Sequence, residues 1–235
     1  MEIQVAAAKT NKYASSESGD TLEIVERPNG GISVVLADGQ TSGRGAKAVS
    51  LMVVRKVIAL LAEGVRDGAA ARAASDTLYT EKNGKVTCTL NIASIDLETN
   101  TVVLSRNNPA PIFICHADQV DCLGADSTAL GTRRDIRPVI TEVALEPGLI
   151  IVIYTDGLTH AGARQGQQMD VCNAIQAVLE EQDPTPQEIA DSLLAHAVAL
   201  DEGRPVDDIS VVAIKVTTRD GDNVRRMSVR LPIGP

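Results

Sequence analysis

The sequence predicts an α+β protein in which two antiparallel sheets pack together and pairs of helices cover them. Strand-like runs are clustered along the chain and do not alternate one-for-one with helices, which argues against a doubly wound α/β fold. The runs LIIVIY (149–154) and ISVVAIKV (209–216) are apolar almost throughout, as is typical of strands covered on both faces. Two sheets packed together with helices outside would bury all of these segments.

The first strands are predicted to form a hairpin. LEIV (22–25) and ISVVLA (32–37) flank the segment RPNGG, whose Asn29-Gly30 pair favours a tight turn. Three further strand-like runs follow in the middle of the chain, at 86–95, 101–105 and 111–115.

Four helices are predicted in two pairs. From Ala46 onward apolar residues recur at helical spacing, and a second helix covers roughly 66–80. The later pair covers roughly 169–181 and 186–201. The segment 185–188, Thr-Pro-Gln-Glu, matches a capping box with proline at the first helical position, so we expect the last helix to begin there.

A chain of 235 residues is long enough to bury a sizeable core. We predict a single catalytic domain over 1–216. The segment 217–235 is basic and irregular with weak alternation, and is predicted to be a tail or an extra edge strand. The first 15 residues carry no clear pattern.

The composition argues against several classes of partner. Aromatic residues make up only 2% of the chain, whereas stacking platforms for single-stranded nucleic acid need exposed aromatics. A net charge of −9 repels phosphate backbones, so we expect no nucleic-acid partner. No run reaches the roughly 18 apolar residues that indicate a membrane span, and the N-terminus lacks a signal-peptide layout. The four cysteines form no CxxC pair, and we expect reduced thiols in a cytoplasmic protein.

Acidic residues border the most hydrophobic strands at three places. Asp38 follows ISVVLA, Asp156 follows LIIVIYT, and Asp207 lies just before ISVVAIKV. A carboxylate at the end of a buried strand is held by the sheet and still reaches solvent. The three positions therefore suggest one shared site.

The hairpin adds a fourth carboxylate. Asp20 lies nine positions before Asn29 and Asp38 lies nine after it, so an antiparallel pair places the two aspartates opposite each other. Asp156 and Asp207 share an edge if their strands are antiparallel neighbours. Four carboxylates together repel one another unless cations are bound, and Mg²⁺ or Mn²⁺ prefers such an oxygen environment.

Two glycines fit a metal site. Gly39 and Gly157 directly follow strand-ending aspartates, and glycine permits both a sharp turn and close approach of the backbone to an ion. The Gly39 carbonyl is a candidate ligand. Two divalent ions about 3.5–4 Å apart activate water and stabilise the charge that develops on a phosphoryl group.

Each of these positions also has a simpler interpretation. Asp-Gly after a strand is usually only a turn. Asp208 is a candidate site residue, or else a solvated neighbour of Asp207. His160 is a candidate for assisting a leaving group, although a surface histidine is the simpler explanation. Arg44 in the glycine loop either contacts phosphate or is solvated.

The motifs ADGQTSGRGAKAVS, LEPGLIIVIYTDGLTHA and VDDISVVAI resemble, in order and spacing, those of the metal-dependent protein phosphatases (PPM family, protein phosphatase 2C-like). The resemblance is greatest to the bacterial sporulation-stage-II-E type and covers about residues 15–216. It implies a PPM-type β-sandwich of two antiparallel sheets flanked by helix pairs, with two Mn²⁺ or Mg²⁺ ions at one edge.

The resemblance also implies roles for individual residues. Asp38 would bridge both ions with the Gly39 carbonyl beside it, Asp20 would hold one ion, and Asp156 and Asp207 would hold the other. Asp38 and Asp156 would be the catalytic pair. The reaction would be hydrolysis of phosphoserine or phosphothreonine in a protein.

The partner implied by the resemblance is a phosphorylated regulatory protein of the stressosome or anti-anti-sigma type, acted on by a feedback phosphatase of the regulator-of-sigma-B X type. Two alternatives remain open. One is a catalytically weak pseudophosphatase that binds a phosphoprotein, and the other is a different two-metal phosphohydrolase.

Overall fold

Strands make up the centre of the molecule and helices its two outer layers. The computed structural model describes residues 1–116, 119–180, 183–218 and 221–232. Within these ranges the strands are β1 (Glu2–Thr10), β2 (Asp20–Glu26), β3 (Ile32–Gly39), β4 (Cys88–Asp96), β5 (Thr101–Asn107), β6 (Ile112–His116), β7 (Gln119–Leu123), β8 (Val139–Ala144), β9 (Ile150–Tyr154) and β10 (Ile209–Thr217). The helices are α1 (Gly43–Ala62), α2 (Asp67–Lys82), α3 (Gly157–His160), α4 (Val171–Leu179) and α5 (Pro186–Leu200).

The strands form two five-stranded antiparallel sheets. The first sheet has the order β2-β3-β4-β5-β8, and the second has the order β1-β10-β9-β6-β7. Residues that alternate along each strand face the partner sheet, and the core between the sheets includes Leu36 and Leu104 from the first and Ile151 and Ile214 from the second.

The helices cover the outer faces of the two sheets. Helices α1 and α2 pack on the first sheet, where Val53 and Leu78 meet strand residues such as Ile92. Helices α4 and α5 cover the second sheet through residues such as Ile175 and Leu193. The predicted fold class, an α+β sandwich of two antiparallel sheets flanked by helix pairs, is therefore confirmed.

The predicted strands and the two helix pairs are present, but three strands were not predicted. Strand β1 is rich in alanine, which favours strands weakly, and it forms because β10 pairs with it from Glu2↔Thr217 to Thr10↔Ile209. Strands β7 and β8 lie at sheet edges and are only half-buried, so their sequences lack a strong apolar signal.

The capping box is confirmed. The Thr185 backbone N–H donates to Glu188 Oε2 at 2.7 Å, and the Glu188 backbone N–H donates to Thr185 Oγ1 at 3.2 Å. The Thr185 N–H and the Thr185 hydroxyl both donate to the Glu188 carboxylate, and these two bonds lower the pKa of Glu188 because they favour its charged form. Helix α5 therefore begins where the sequence predicts.

Two of the predicted segments lie partly outside the described residues. Residue 181 of the predicted helix 169–181 lies outside them, as do residues 219–220 and 233–235 of the predicted tail or edge strand. Residues 221–232 form no helix or strand. Among the described residues, no helix combines the length and the hydrophobicity needed to cross a membrane.

Candidate metal centre

The β2–β3 hairpin brings the first two aspartates together. Asp20 is paired directly with Asp38 in the strand register, as the symmetry about Asn29 predicts. Asp20 is completely buried, whereas Asp38 lies at the end of β3 and is half-buried. The hairpin thus presents two carboxylates at one end of the first sheet.

The second pair of aspartates comes from the neighbouring sheet. Strands β9 and β10 are antiparallel partners with Tyr154 opposite Val211, so Asp156, just after β9, and Asp207, just before β10, lie at the same edge. Asp156 and Asp207 offer ligand atoms that lie, together with one from His160, within 4.8 Å of one another. Both aspartates are half-buried.

One cavity is lined by members of both aspartate pairs. It has a volume of about 450 Å³ and is lined by Asp38, Asp156 and Asp207 together with Lys12, Gly39, Gln40, Thr41, Ser42, Thr87 and Thr89. Acidic residues that are far apart in the chain therefore converge on a single concave surface.

Burial and mutual repulsion favour the protonated form of these carboxyl groups. Burial, and then the negative charges of Asp20, Asp156 and Asp207, raise the pKa of Asp38 to about 9. Burial also raises the pKa of Asp20, against the hydrogen bonds that it accepts, and burial raises the pKa of Asp207. Without a cation the site therefore favours protonated carboxyls, which is the expected property of a cluster built around positive charge.

The two carboxylate oxygens of Asp20, the most buried of the four aspartates, differ in their hydrogen bonding. Asp20 Oδ2 accepts hydrogen bonds from Thr155 Oγ1 at 2.9 Å and from Ser210 Oγ at 2.6 Å. Asp20 Oδ1 is buried and has no hydrogen-bond partner among the residues that the structure describes. A buried carboxylate oxygen left unpaired is costly, and a divalent cation is a ligand that would satisfy it. The residues present therefore fit a metal.

Thr155 and Ser210 were not predicted to belong to the site. Thr155 directly follows β9 and Ser210 lies in β10 of the second sheet, and both fix a carboxylate carried by the first sheet. Their positions next to Asp156 and within ISVVAIKV were available signals, but small hydroxyl residues in strands are too common for that position to identify them.

Asp208 is not the solvated neighbour of Asp207 that the simpler interpretation suggested. Its side chain is 3% exposed. Asp208 Oδ1 accepts a hydrogen bond from the Lys12 backbone N–H at 2.9 Å, and Oδ2 accepts one from the Gly19 backbone N–H at 2.8 Å. Asp208 thus ties the segments before β2 to the start of β10, and its oxygens are already used by backbone donors.

Two lysines converge on the backbone of Asp20. Lys9 Nζ and Lys47 Nζ donate to the Asp20 carbonyl at 2.6 and 2.7 Å. Lys47 also donates to Thr21 Oγ1 at 3.0 Å, and Ser50 Oγ hydrogen-bonds both Thr21 Oγ1 and the Gly19 carbonyl. Helix α1 is therefore attached to the strand segment that carries Asp20.

Replacing Lys47 with methionine should lower the free energy of unfolding by about 1–3 kcal/mol, since two hydrogen bonds from a charged donor are lost while the aliphatic stem is kept. Urea unfolding would measure this. Lys56→Met in the same helix is the control, because Lys56 is exposed. Equal effects of the two variants would contradict the role of Lys47 as an attachment.

The two glycines serve close packing of the backbone. A Cβ at Gly39 would lie 2.1 Å from the Ala46 carbonyl oxygen, and one at Gly157 would lie 2.1 Å from the Asp208 carbonyl oxygen. The expectation that these glycines provide sharp turns needs correction, since Gly39 lies within β3, opposite Cys88, and Gly157 is the first residue of α3. Both glycines are required for close approach, Gly39 to Ala46 of α1 and Gly157 to Asp208 just before β10.

Alanine at position 157 should destabilise the protein by about 1–3 kcal/mol or more, because the added methyl overlaps backbone that cannot move without shifting Asp207 and Asp208. Gly45→Ala is the matched control: a Cβ at Gly45 has no neighbour within 4 Å in the described part of the chain, and alanine favours a helix. Thermal unfolding of both variants tests the prediction, which fails if position 157 tolerates alanine as well as position 45 does.

His160 and Arg44 occupy different positions relative to the site. His160 Nδ1 lies 3.9 Å from Asp156 Oδ2, with its side chain 48% exposed. Arg44 has a side chain that is 92% exposed, 4.0 Å from Glu17, and it is not among the residues that line the cavity. The structure brings His160 to the acidic cluster and leaves Arg44 in solvent.

A sandwich of two antiparallel sheets with helix pairs outside is the fold of the PP2C-like phosphatase domains. Residues 28–217 match the family described as Stage II sporulation protein E (SpoIIE). The chain belongs to this family.

Known relatives agree with that assignment. Stage II sporulation protein E of Priestia megaterium is 22% identical over 214 residues, which are 91% of this chain and 36% of the relative. The chain therefore spans about a third of the length of this curated relative.

Solved structures share the fold. The PP2C phosphatase domain of SpoIIE from Bacillus subtilis, with a fragment of its regulatory domain, superposes with a TM-score of 0.80 at 22% identity, covering 94% of this chain and 64% of that one. RsbX in complex with magnesium gives 0.70 at 18% identity, covering 92% and 96%. At these identities the likeness establishes the fold.

Proposed function

We propose that this chain is a metal-dependent phosphatase that hydrolyses phosphoserine or phosphothreonine in a protein substrate. One observation supports the proposal: Asp38, from the first sheet, lines one cavity together with Asp156 and Asp207, from the edge of the second sheet, and the buried Asp20 lies directly opposite Asp38. Family membership supports it, because the phosphatase domain is the part of the relatives' structures that this chain resembles.

The residues that would hold two divalent ions are Asp20, Asp38, Asp156 and Asp207, with the Gly39 carbonyl as a further oxygen ligand. Such ions supply an activated water and stabilise the charge of the phosphoryl group. Mg²⁺ and Mn²⁺ are the candidates, and the magnesium in the RsbX structure supports the first of these.

The protein's own groups prepare the site. Thr155 and Ser210 orient the Asp20 carboxylate by donating to one of its oxygens, which leaves the other for a ligand. The close Asp20–Asp38 pair favours binding of a cation and disfavours an empty, ionised state. We assign His160, whose Nδ1 lies 3.9 Å from Asp156 Oδ2, the role of exchanging a proton with the leaving group.

For the partner, we propose a phosphorylated regulator of the stressosome or anti-anti-sigma type in the cytoplasm. The likeness to RsbX and to SpoIIE supports this choice. The four cysteines are all free, and Cys88 and Cys115 are buried, as suits a reducing compartment.

Turnover of p-nitrophenyl phosphate and of a phosphoserine peptide tests the proposal. We expect hydrolysis with Mn²⁺ or Mg²⁺ and none with EDTA. Incubation with candidate phosphorylated regulators, followed by intact-mass measurement of phosphate loss, would identify the partner. Metal binding by calorimetry without turnover of any phosphoprotein would instead indicate a pseudophosphatase. Cleavage of a phosphodiester with no action on phosphoserine would indicate a different phosphohydrolase.

A further inference from the structure

One basic side chain lines the acidic cavity. Among the described residues around it, Asp38, Asp156 and Asp207 contribute carboxylates and Lys12 contributes the single cation. Lys12 lies in the segment between β1 and β2, and its side chain is half-buried. A lysine at this position faces whatever enters the cavity.

The Lys12 ammonium has no partner within the described part of the chain. No carboxylate oxygen lies within 4.0 Å of it, and its Nζ makes no hydrogen bond there. Its charge nevertheless acts on Asp207, where it favours the ionised carboxylate. Lys12 is therefore close to the site and free to bind a ligand without first breaking an ion pair.

The backbone around Lys12 is fixed. The Lys12 N–H donates to the buried carboxylate of Asp208, and the Tyr13 N–H donates to the Pro205 carbonyl at 2.9 Å. The Arg204 guanidinium lies over the Tyr13 ring, 5.4 Å from its centroid. Residues 204–208 lead into β10 and include Asp207. The contacts therefore hold the Lys12 backbone against the segment that carries Asp207. A backbone fixed before binding does not have to be ordered when the ligand arrives, so only the Lys12 side chain loses freedom.

We propose that Lys12 binds the phosphate group of the substrate, and the phosphate released from it, in the metal-loaded site. This inference rests on the proposed function. Four ionised aspartates and two divalent cations would sum to zero charge, and Lys12 is the cation among the described cavity-lining residues that a phosphate dianion would meet. An ammonium offers three donors in a compact group, which suits the oxygens of a phosphate.

A competing role for Lys12 is to balance the carboxylates of the metal-free site. The two roles differ in what they change. A charge-balancing lysine competes with the metal ions, so its loss tightens Mg²⁺ binding and leaves phosphate binding alone. A phosphate-binding lysine acts on phosphate in the presence of saturating metal.

The experiment measures the dissociation constant of inorganic phosphate by calorimetry on the full chain saturated with Mg²⁺, and the inhibition constant of phosphate against p-nitrophenyl phosphate. We expect Lys12→Met to weaken both by about 10- to 100-fold, as for the loss of a charge-assisted hydrogen bond. Lys12→Arg should keep phosphate binding within about threefold of the parent chain, since it preserves the charge. Lys56→Met, at an exposed position of α1, removes the same charge and should change neither constant.

Mg²⁺ affinity is measured on each variant without phosphate. Lys12→Gln serves as a second neutral variant if Lys12→Met does not bind Mg²⁺. Unchanged phosphate affinity in the neutral variant, or no phosphate binding by the Mg²⁺-loaded parent chain, overturns the inference. Failure of the proposed function is distinguishable, because the calorimetric arm needs no turnover: a chain that binds phosphate through Lys12 without hydrolysing substrate refutes the enzyme and keeps the subsite.

Discussion

Replacing Asp38 with asparagine should lower the Mg²⁺- or Mn²⁺-dependent hydrolysis of p-nitrophenyl phosphate by at least about 10²–10³-fold, the range typical for loss of one preorganised group that stabilises developing charge. Asp38 lies opposite Asp20 and lines the same cavity as Asp156 and Asp207, so it is the carboxylate of the first pair that faces the second pair. Asparagine keeps the shape of the side chain and removes its charge. The variant should therefore show lower activity and lower metal affinity.

The fold should survive this change and gain stability when no metal is present. At pH 8 the folded, metal-free chain must keep Asp38 protonated although the unfolded chain has released that proton, and Asp38→Asn removes this cost, so we expect a higher urea midpoint in EDTA at pH 8. Asp191→Asn is the control. Asp191 is exposed on α5, and its replacement removes one charge at a position far from the cavity residues in sequence. Near-parental turnover in Asp38→Asn would refute the assignment of Asp38 to the metal site.

Removing the metal should make stability strongly dependent on pH. In the folded, metal-free chain the pKa of Asp38 is raised from 3.8 to about 9, so between these values the folded state holds a proton that the unfolded chain has released. Stability from this group is therefore fully present below about pH 4 and is lost as pH rises through about 9. The raised pKa values of Asp20 and Asp207 act in the same direction.

Bound Mg²⁺ should reverse this behaviour. The cations displace the protons, so Mg²⁺ affinity rises with pH over the same window. Each site occupied at 100 times its dissociation constant adds about 2.7 kcal/mol to stability. Urea unfolding at pH 6, 7 and 8, with EDTA or with saturating Mg²⁺, measures both trends. A midpoint in EDTA that does not fall with pH, or that falls equally in Asp38→Asn, would contradict the electrostatic account of the site.

Local patterns were sufficient for much of the fold. Strands β9 and β10 are continuous apolar runs, and the helices have apolar residues at regular spacing. Both patterns can be recognised within a few residues, and they indicate which faces are buried. Strand β1 escaped because its alanines carry a weak signal of their own, and it is formed by pairing along the length of β10. Edge strands β7 and β8 escaped for a related reason, since half-exposed strands resemble loops.

The sequence by itself determined that Asp20 and Asp38 face each other, because a hairpin turn sets the register of its two strands. It also indicated that Asp156 and Asp207 border strands of the same kind. Tertiary structure alone decided that Asp208 is buried and bound to backbone N–H groups, that Thr155 and Ser210 orient Asp20, and that Lys12 enters the cavity. These contacts join segments up to 196 positions apart. They depend on how two sheets and a helix pack, which no local spacing encodes.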